Sequence, residues 1–67
     1  MKCIVVDLYE ISDEFMKEHE LNYKNRITIY NCDIKKIEDF AIDTKWKDKF
    51  KVGQVIDNWQ VYMSKVI

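Results

Sequence analysis

The chain has 67 residues, with 11 Lys plus Arg against 12 Asp plus Glu and a formal charge of -1. That length holds one domain, residues 1–67, at about 100 to 200 residues per ordinary domain, and it excludes tandem domains and repeat arrays. The balanced charge excludes a general basic field for nucleic acid or anionic lipid, and a hydrophobic share of 48% excludes a disordered tail.

Residues 2–9, KCIVVDLY, alternate with Ile4, Val6 and Leu8 on one face and Cys3, Val5, Asp7 and Tyr9 on the other, which predicts a first strand. Ser12 is then an N-cap, followed by Asp13 and Glu14 where a helix N-terminus favours negative charge, and Ile11 can staple onto Met16. The spacing predicts a helix over 12–22, with Phe15, Met16, His19 and Tyr23 in one arc of about 100°. Asn22–Asn25 reads as a turn and Arg26–Cys32 as a second alternating strand. Asp33 can cap a second short helix, because Ile34, Ile37, Phe40 and Ala41 share an arc of about 120° at helical spacing and fall on both faces of a strand. Lys35 and Lys36 at its start and Glu38 and Asp39 later give that helix the wrong polarity for its macrodipole.

The last third predicts a β-hairpin about an Asp57-Asn58 turn, with Ile56 facing Trp59, Gln54 facing Val61, Gly53 facing Tyr62 and Val52 facing Met63. That register fails if Trp59 and Tyr62 lie on the same side. The Ile, Val and Thr total of 17 against three Leu plus Ala favours strands. The expected fold is α+β: a small, largely antiparallel sheet of three or four strands, one or two short helices on one face, and a C-terminal β-hairpin. If the first helix is a crossover, strands one and two are parallel and Cys3 and Cys32 lie at opposite ends. Antiparallel neighbours bring them close.

A core of this size seldom supplies more than roughly 3 to 5 kcal/mol, so further stabilisation is expected from disulfides, a metal or self-association. Two cysteines and one histidine offer no zinc-binding spacing, so no metal is expected. No secretory leader pattern and no apolar run of roughly 20 residues are found, which argues for a cytoplasmic chain with reduced thiols and no membrane contact. Self-association remains, as a homo-oligomer.

His19 with Cys3 or Cys32 could form a nucleophile pair, but a histidine inside an apolar stripe is more economically a packing residue, and no third group or oxyanion donor is in view. One glycine in the chain leaves no phosphate-cradling loop, so no cofactor is expected. Asp7, Glu10, Asp13 and Glu14 read as a solvated strand end and a helix N-terminus rather than an acid/base or Mg²⁺ pair. Residues 45–51, KWKDKFK, alternate lysines and aromatics as single-stranded nucleic-acid binders do. Drawn extended, however, Lys45, Lys47, Lys49 and Lys51 point away from Trp46 and Phe50, so rings and charges do not line one groove.

Tyr9, Tyr30 and Tyr62 fall on the sheet face opposite the Ile/Val core, together with Val5 and Val55. Tyrosine offers large contact area at low entropy cost and is enriched at interface centres. The expected function is therefore that of a non-enzymatic regulator or inhibitor that binds another protein, as a homo-oligomer, through this aromatic face. The alternative is a nucleic-acid-binding accessory protein that uses Lys45, Lys47, Lys49 and Lys51.

Overall fold

The computed structural model describes residues 1–66. Its elements in chain order are β1 (Cys3–Glu10), α1 (Asp13–Glu18), β2 (Asn25–Asn31), β3 (Lys36–Ile42), a 3-10 helix (Thr44–Lys49), β4 (Val55–Ile56) and α2 (Trp59–Val66). The sheet has the order β3-β2-β1-β4 with every neighbouring pair antiparallel. This is the expected α+β class. Strands β1 and β2 are therefore not a parallel crossover pair. Residues 11–24, with α1 among them, form an excursion at the tip of an antiparallel hairpin that Ile11 N–H to Lys24 O closes at 3.0 Å.

The period-two reading of β1 breaks at a bulge. Val5 faces Ile29 but Asp7 faces Thr28, so the strand gains a residue between them and its phase inverts. Before the bulge Cys3 and Val5 point into the core; after it Leu8 does. Val5 is 1% exposed, which corrects its assignment to the outer face, whereas Val6, expected inside, is exposed.

The core is built from Cys3, Val5, Ile27, Ile29, Ile42, Phe50 and Ile56, with Trp46, Trp59, Tyr62 and Met63 packed over it. Two asparagines close its ends on the same face of β2. Asn25 Nδ2 donates to Thr44 Oγ1 at 2.8 Å, and Asn31 Nδ2 donates to Glu38 Oε1 at 2.7 Å, so both buried amides are bonded.

The segment expected as a second short helix is β3. Asn31 Oδ1 accepts the N–H groups of Asp33 and Ile34, and Lys35 takes a positive φ of 56°, which turns the chain back after a four-residue loop. The unfavourable charge polarity was the local signal against a helix. What looked like a conflict, apolar residues on both faces, is real: Phe40 packs on the core side and Ile37 stands 66% exposed on the other.

The expected C-terminal hairpin is also corrected. Val52–Gly53 makes the turn, Gly53 taking a φ of 88° that an L side chain adopts only with strain, and β4 is two residues long. Asn58 then starts α2: its Oδ1 accepts Val61 N–H at 3.1 Å and its carbonyl accepts Tyr62 N–H at 3.0 Å. Trp59, Tyr62, Met63 and Val66 follow at helical spacing, so Trp59 and Tyr62 lie on the same side, over the core. Trp59 N–H donates to Met1 O at 2.8 Å and its ring stacks on Phe40 and Phe50, with centroids 5.9 and 5.8 Å away. Helix α1 is shorter than expected, Asp13–Glu18, with Ser12 capping as anticipated; it buries no residue, because Glu20 at φ 54° ends it before Tyr23 can join the stripe.

Candidate functional site

The face opposite α2 carries a row of apolar side chains that crosses all four strands. Register places Val55 beside Ile4, Ile4 beside Tyr30, and Tyr30 beside Ile37. Side chains directly opposite on one face of an antiparallel pair lie about 4.5 to 5.5 Å apart at Cβ, so the four make one continuous strip. Ile37 at 66% and Val55 at 54% are widely exposed, and Tyr30 and Ile4 are half-buried. Phe40, Trp46, Trp59 and Tyr62, which pack against the buried cluster, sit on the sheet's other side.

A polar cluster borders the strip. Asp39 accepts from Tyr9 Oη at 2.6 Å and Thr28 Oγ1 at 2.9 Å on one oxygen, and from Arg26 Nε at 2.8 Å on the other, with Arg26 Nη2 at 2.7 Å. Partial desolvation pushes the Asp39 carboxyl up, but the bonds from Tyr9, Arg26 and Thr28 and the guanidinium charge outweigh it, so the group ionises below the ordinary aspartate range. The bond to Asp39, helped by burial, holds the Tyr9 phenol above its usual range, and the same carboxylate raises Arg26. The result is an ion pair, neutral overall, whose donors and acceptor satisfy one another.

Of the five residues expected on the docking face, the structure brings Tyr9, Tyr30 and Val55 together there. Val5 is in the core. Tyr62 is on α2, on the opposite side, where it lies against Phe50 at 5.4 Å between centroids and donates its hydroxyl to Lys49 O. Ile4, Ile37 and the Asp39 cluster were missed. Ile4 is hidden by the bulge, which no local composition announces; Ile37 and Asp39 follow once 36–42 is drawn as a strand beside Arg26–Tyr30.

The lysine run is a 3-10 helix, capped by the Asp43 carboxylate on Lys45 N–H at 3.1 Å, rather than an extended segment. At three residues per turn Lys45, Lys47 and Lys49 leave the axis in three different directions, and Lys45 eclipses Asp48. Lys45 Nζ lies 5.6 Å from the Trp46 ring centre, while that ring packs on the core. These lysines form no row.

Cys3 is buried, which pushes its thiol up, away from nucleophilic use. His19 is exposed rather than half-buried, and tilts against Phe15 with centroids 4.2 Å apart, just beyond the end of β1. Since Cys3 opens that eight-residue strand, about 20 Å of sheet separates the two. Cys32 lies one step beyond Asn31, the partner of Cys3, so both thiols are at the end of the sheet away from His19. Among the described residues no group of three or more His, Cys, Asp or Glu side chains is placed to hold a metal ion, and no helix is long and apolar enough to cross a membrane. A recess of about 290 Å³ at the other sheet end is lined by Glu10 and Asp48 as well as Arg26 and Lys47, so it favours neither sign of ligand charge. No family model, curated protein or solved structure matches this chain.

Proposed function

We propose that this chain is a non-enzymatic protein-binding module, a small cytoplasmic regulator or inhibitor that acts as a homo-oligomer and docks its partner on the uncovered sheet face. The observation that carries the reading is the strip Val55–Ile4–Tyr30–Ile37, four apolar side chains across four strands with its outermost members the most open. Exposed apolar area rimmed by polar groups marks interaction surfaces, and here Tyr9, Arg26, Thr28 and Asp39 form the rim. The molecule measures 35 × 24 × 17 Å, so a broad side is on the scale of the about 800 Å² per partner that a standard interface uses.

The test replaces Tyr30 by Asp. Because Tyr30 points away from the core, the variant should keep the circular dichroism and melting cooperativity of the parent, while affinity capture from the native cell, with nuclease treatment as control, should lose the proteins that the parent retains. Equal retention by Tyr30→Asp, or retained material that nuclease removes, sinks the reading, the second in favour of nucleic acid.

A further inference from the structure

Strand β3 is an edge. It pairs with β2 on one side, over Lys36–Ile42, and among the described residues nothing pairs with its other side, whereas the opposite edge of the sheet, β4, is only two residues long. A free edge of seven residues is a template for another strand, and charges along it select which one. We propose that a second copy of this chain pairs with it, β3 against β3 antiparallel about a two-fold axis centred on Ile37, making one eight-stranded sheet. The inference rests on the docking-face reading only in its consequence, that the lengthened sheet is the platform the partner meets.

Symmetry and side-chain alternation narrow the register. A two-fold relating antiparallel edge strands runs perpendicular to the sheet and keeps each face on its own side. Directly opposite residues point the same way, so the axis must pass through a residue facing its own copy. Centring on Glu38 or Asp39 sets a carboxylate against itself. Centring on Phe40 leaves Glu38 opposite Ile42 and Asp39 opposite Ala41, with no charge matched. Centring on Ile37 places Lys36 opposite Glu38 of the other copy, an opposite-charge pair that occurs twice.

That register also joins the two strips. Val55–Ile4–Tyr30–Ile37 meets its symmetry mate at Ile37, the most exposed large apolar side chain of the described residues, to give one apolar line across the whole sheet. Because the contact is isologous and β4 is too short to serve as a second edge, assembly stops at two copies rather than growing into a filament.

The experiment is sedimentation equilibrium on the full chain with two single charge changes, Lys36→Glu and Glu38→Lys. Each alone sets like charges opposite and should weaken the dimer at least about tenfold. An equimolar mixture of the two restores both opposite-charge pairs and should return the dimer as a heterodimer. Glu38 also bonds Asn31, so if Glu38→Lys loses its native circular dichroism the arm is replaced by Ile37→Cys in a Cys32→Ser background, which should oxidise to a covalent dimer, as facing Cβ atoms permit. A parent chain that stays monomeric, a Lys36→Glu dimer as tight as the parent's, or failure of Ile37→Cys to cross-link overturns the proposal. Tyr30→Asp separates the two claims, since it lies one strand in from the edge. Loss of captured partner with the dimer intact upholds both. A dimer lost in Tyr30→Asp but kept in Lys36→Glu overturns the edge pairing and leaves the docking face standing.

Discussion

Asp39 is the side chain on which most of the outer face depends. Tyr9, Arg26 and Thr28 come from two different strands and all donate to its two oxygens. Replacing it by Ala should cost about 1 to 2 kcal/mol, more than an isolated surface ion pair because three donors lose one acceptor, and less than a buried pair because the site is partly wet. The pH dependence has a definite sign. The carboxyl titrates lower in the folded chain than in the unfolded one, so its contribution is complete above about pH 4 and is lost as pH falls through the depressed folded value. Tyr9 is shifted the other way; its contribution is complete below about pH 10 and is lost as pH rises through the raised folded value. Thermal melts across this range should show both losses in the parent. In Asp39→Asn the acid loss should shrink, and an unchanged acid limb would show that other carboxylates dominate.

Helix α2 depends on a single capping side chain. Asn58→Ala removes the acceptor for Val61 N–H and should cost about 1 kcal/mol, whereas Asn58→Gly should cost only a few tenths. A hairpin turn at Asp57-Asn58 would respond in the opposite way to glycine, gaining stability from Asp-Gly, so the sign of the Asn58→Gly change in a urea titration decides between the two conformations. The first two strands and the Ser12 cap were legible in the sequence because alternation and capping are local. The C-terminal third was not, because Val52, Ile56, Trp59 and Met63 satisfy period two and a helix after Asn58 almost equally well. The choice falls to tertiary packing, in which the Trp59 ring at the start of α2 stacks on Phe40 and Phe50. Residues 36–42 failed for the converse reason: helical periodicity assumes one buried face, and β3 is apolar on both. The outer-face positions of Tyr9, Tyr30 and Val55 were legible, and those of Val5 and Ile4 were not, because the bulge decides their directions.

At the scale of the whole molecule, the folded state rests on one layer of buried side chains between the sheet and α2 with the 3-10 helix. Seven apolar residues make up that layer, and Ile27 and Ile29 of the central strand are among its fully buried members. Ile27→Ala should cost about 2 to 5 kcal/mol, comparable to the roughly 3 to 5 kcal/mol such a domain holds in all. The variant is therefore expected to be largely unfolded as a dilute monomer and to regain structure at concentrations where copies associate, because association adds to the stability of the folded form. A concentration-independent circular dichroism spectrum would instead show that the single chain holds all of its own stability.

The irregularity between Val5 and Asp7 has an evolutionary corollary. It works as a phase shifter, so that the leading half of β1 keeps odd positions inward and the trailing half keeps even ones. Removing Val6 there would straighten the strand into unbroken alternation, with Val5 still opposite Ile29, Asp7 opposite Thr28, Leu8 still inward and the Tyr9 phenol still on the Asp39 side. A one-residue deletion at the bulge is thus absorbed with both faces kept in register, as is the same change among residues 11–24, which bury nothing in α1.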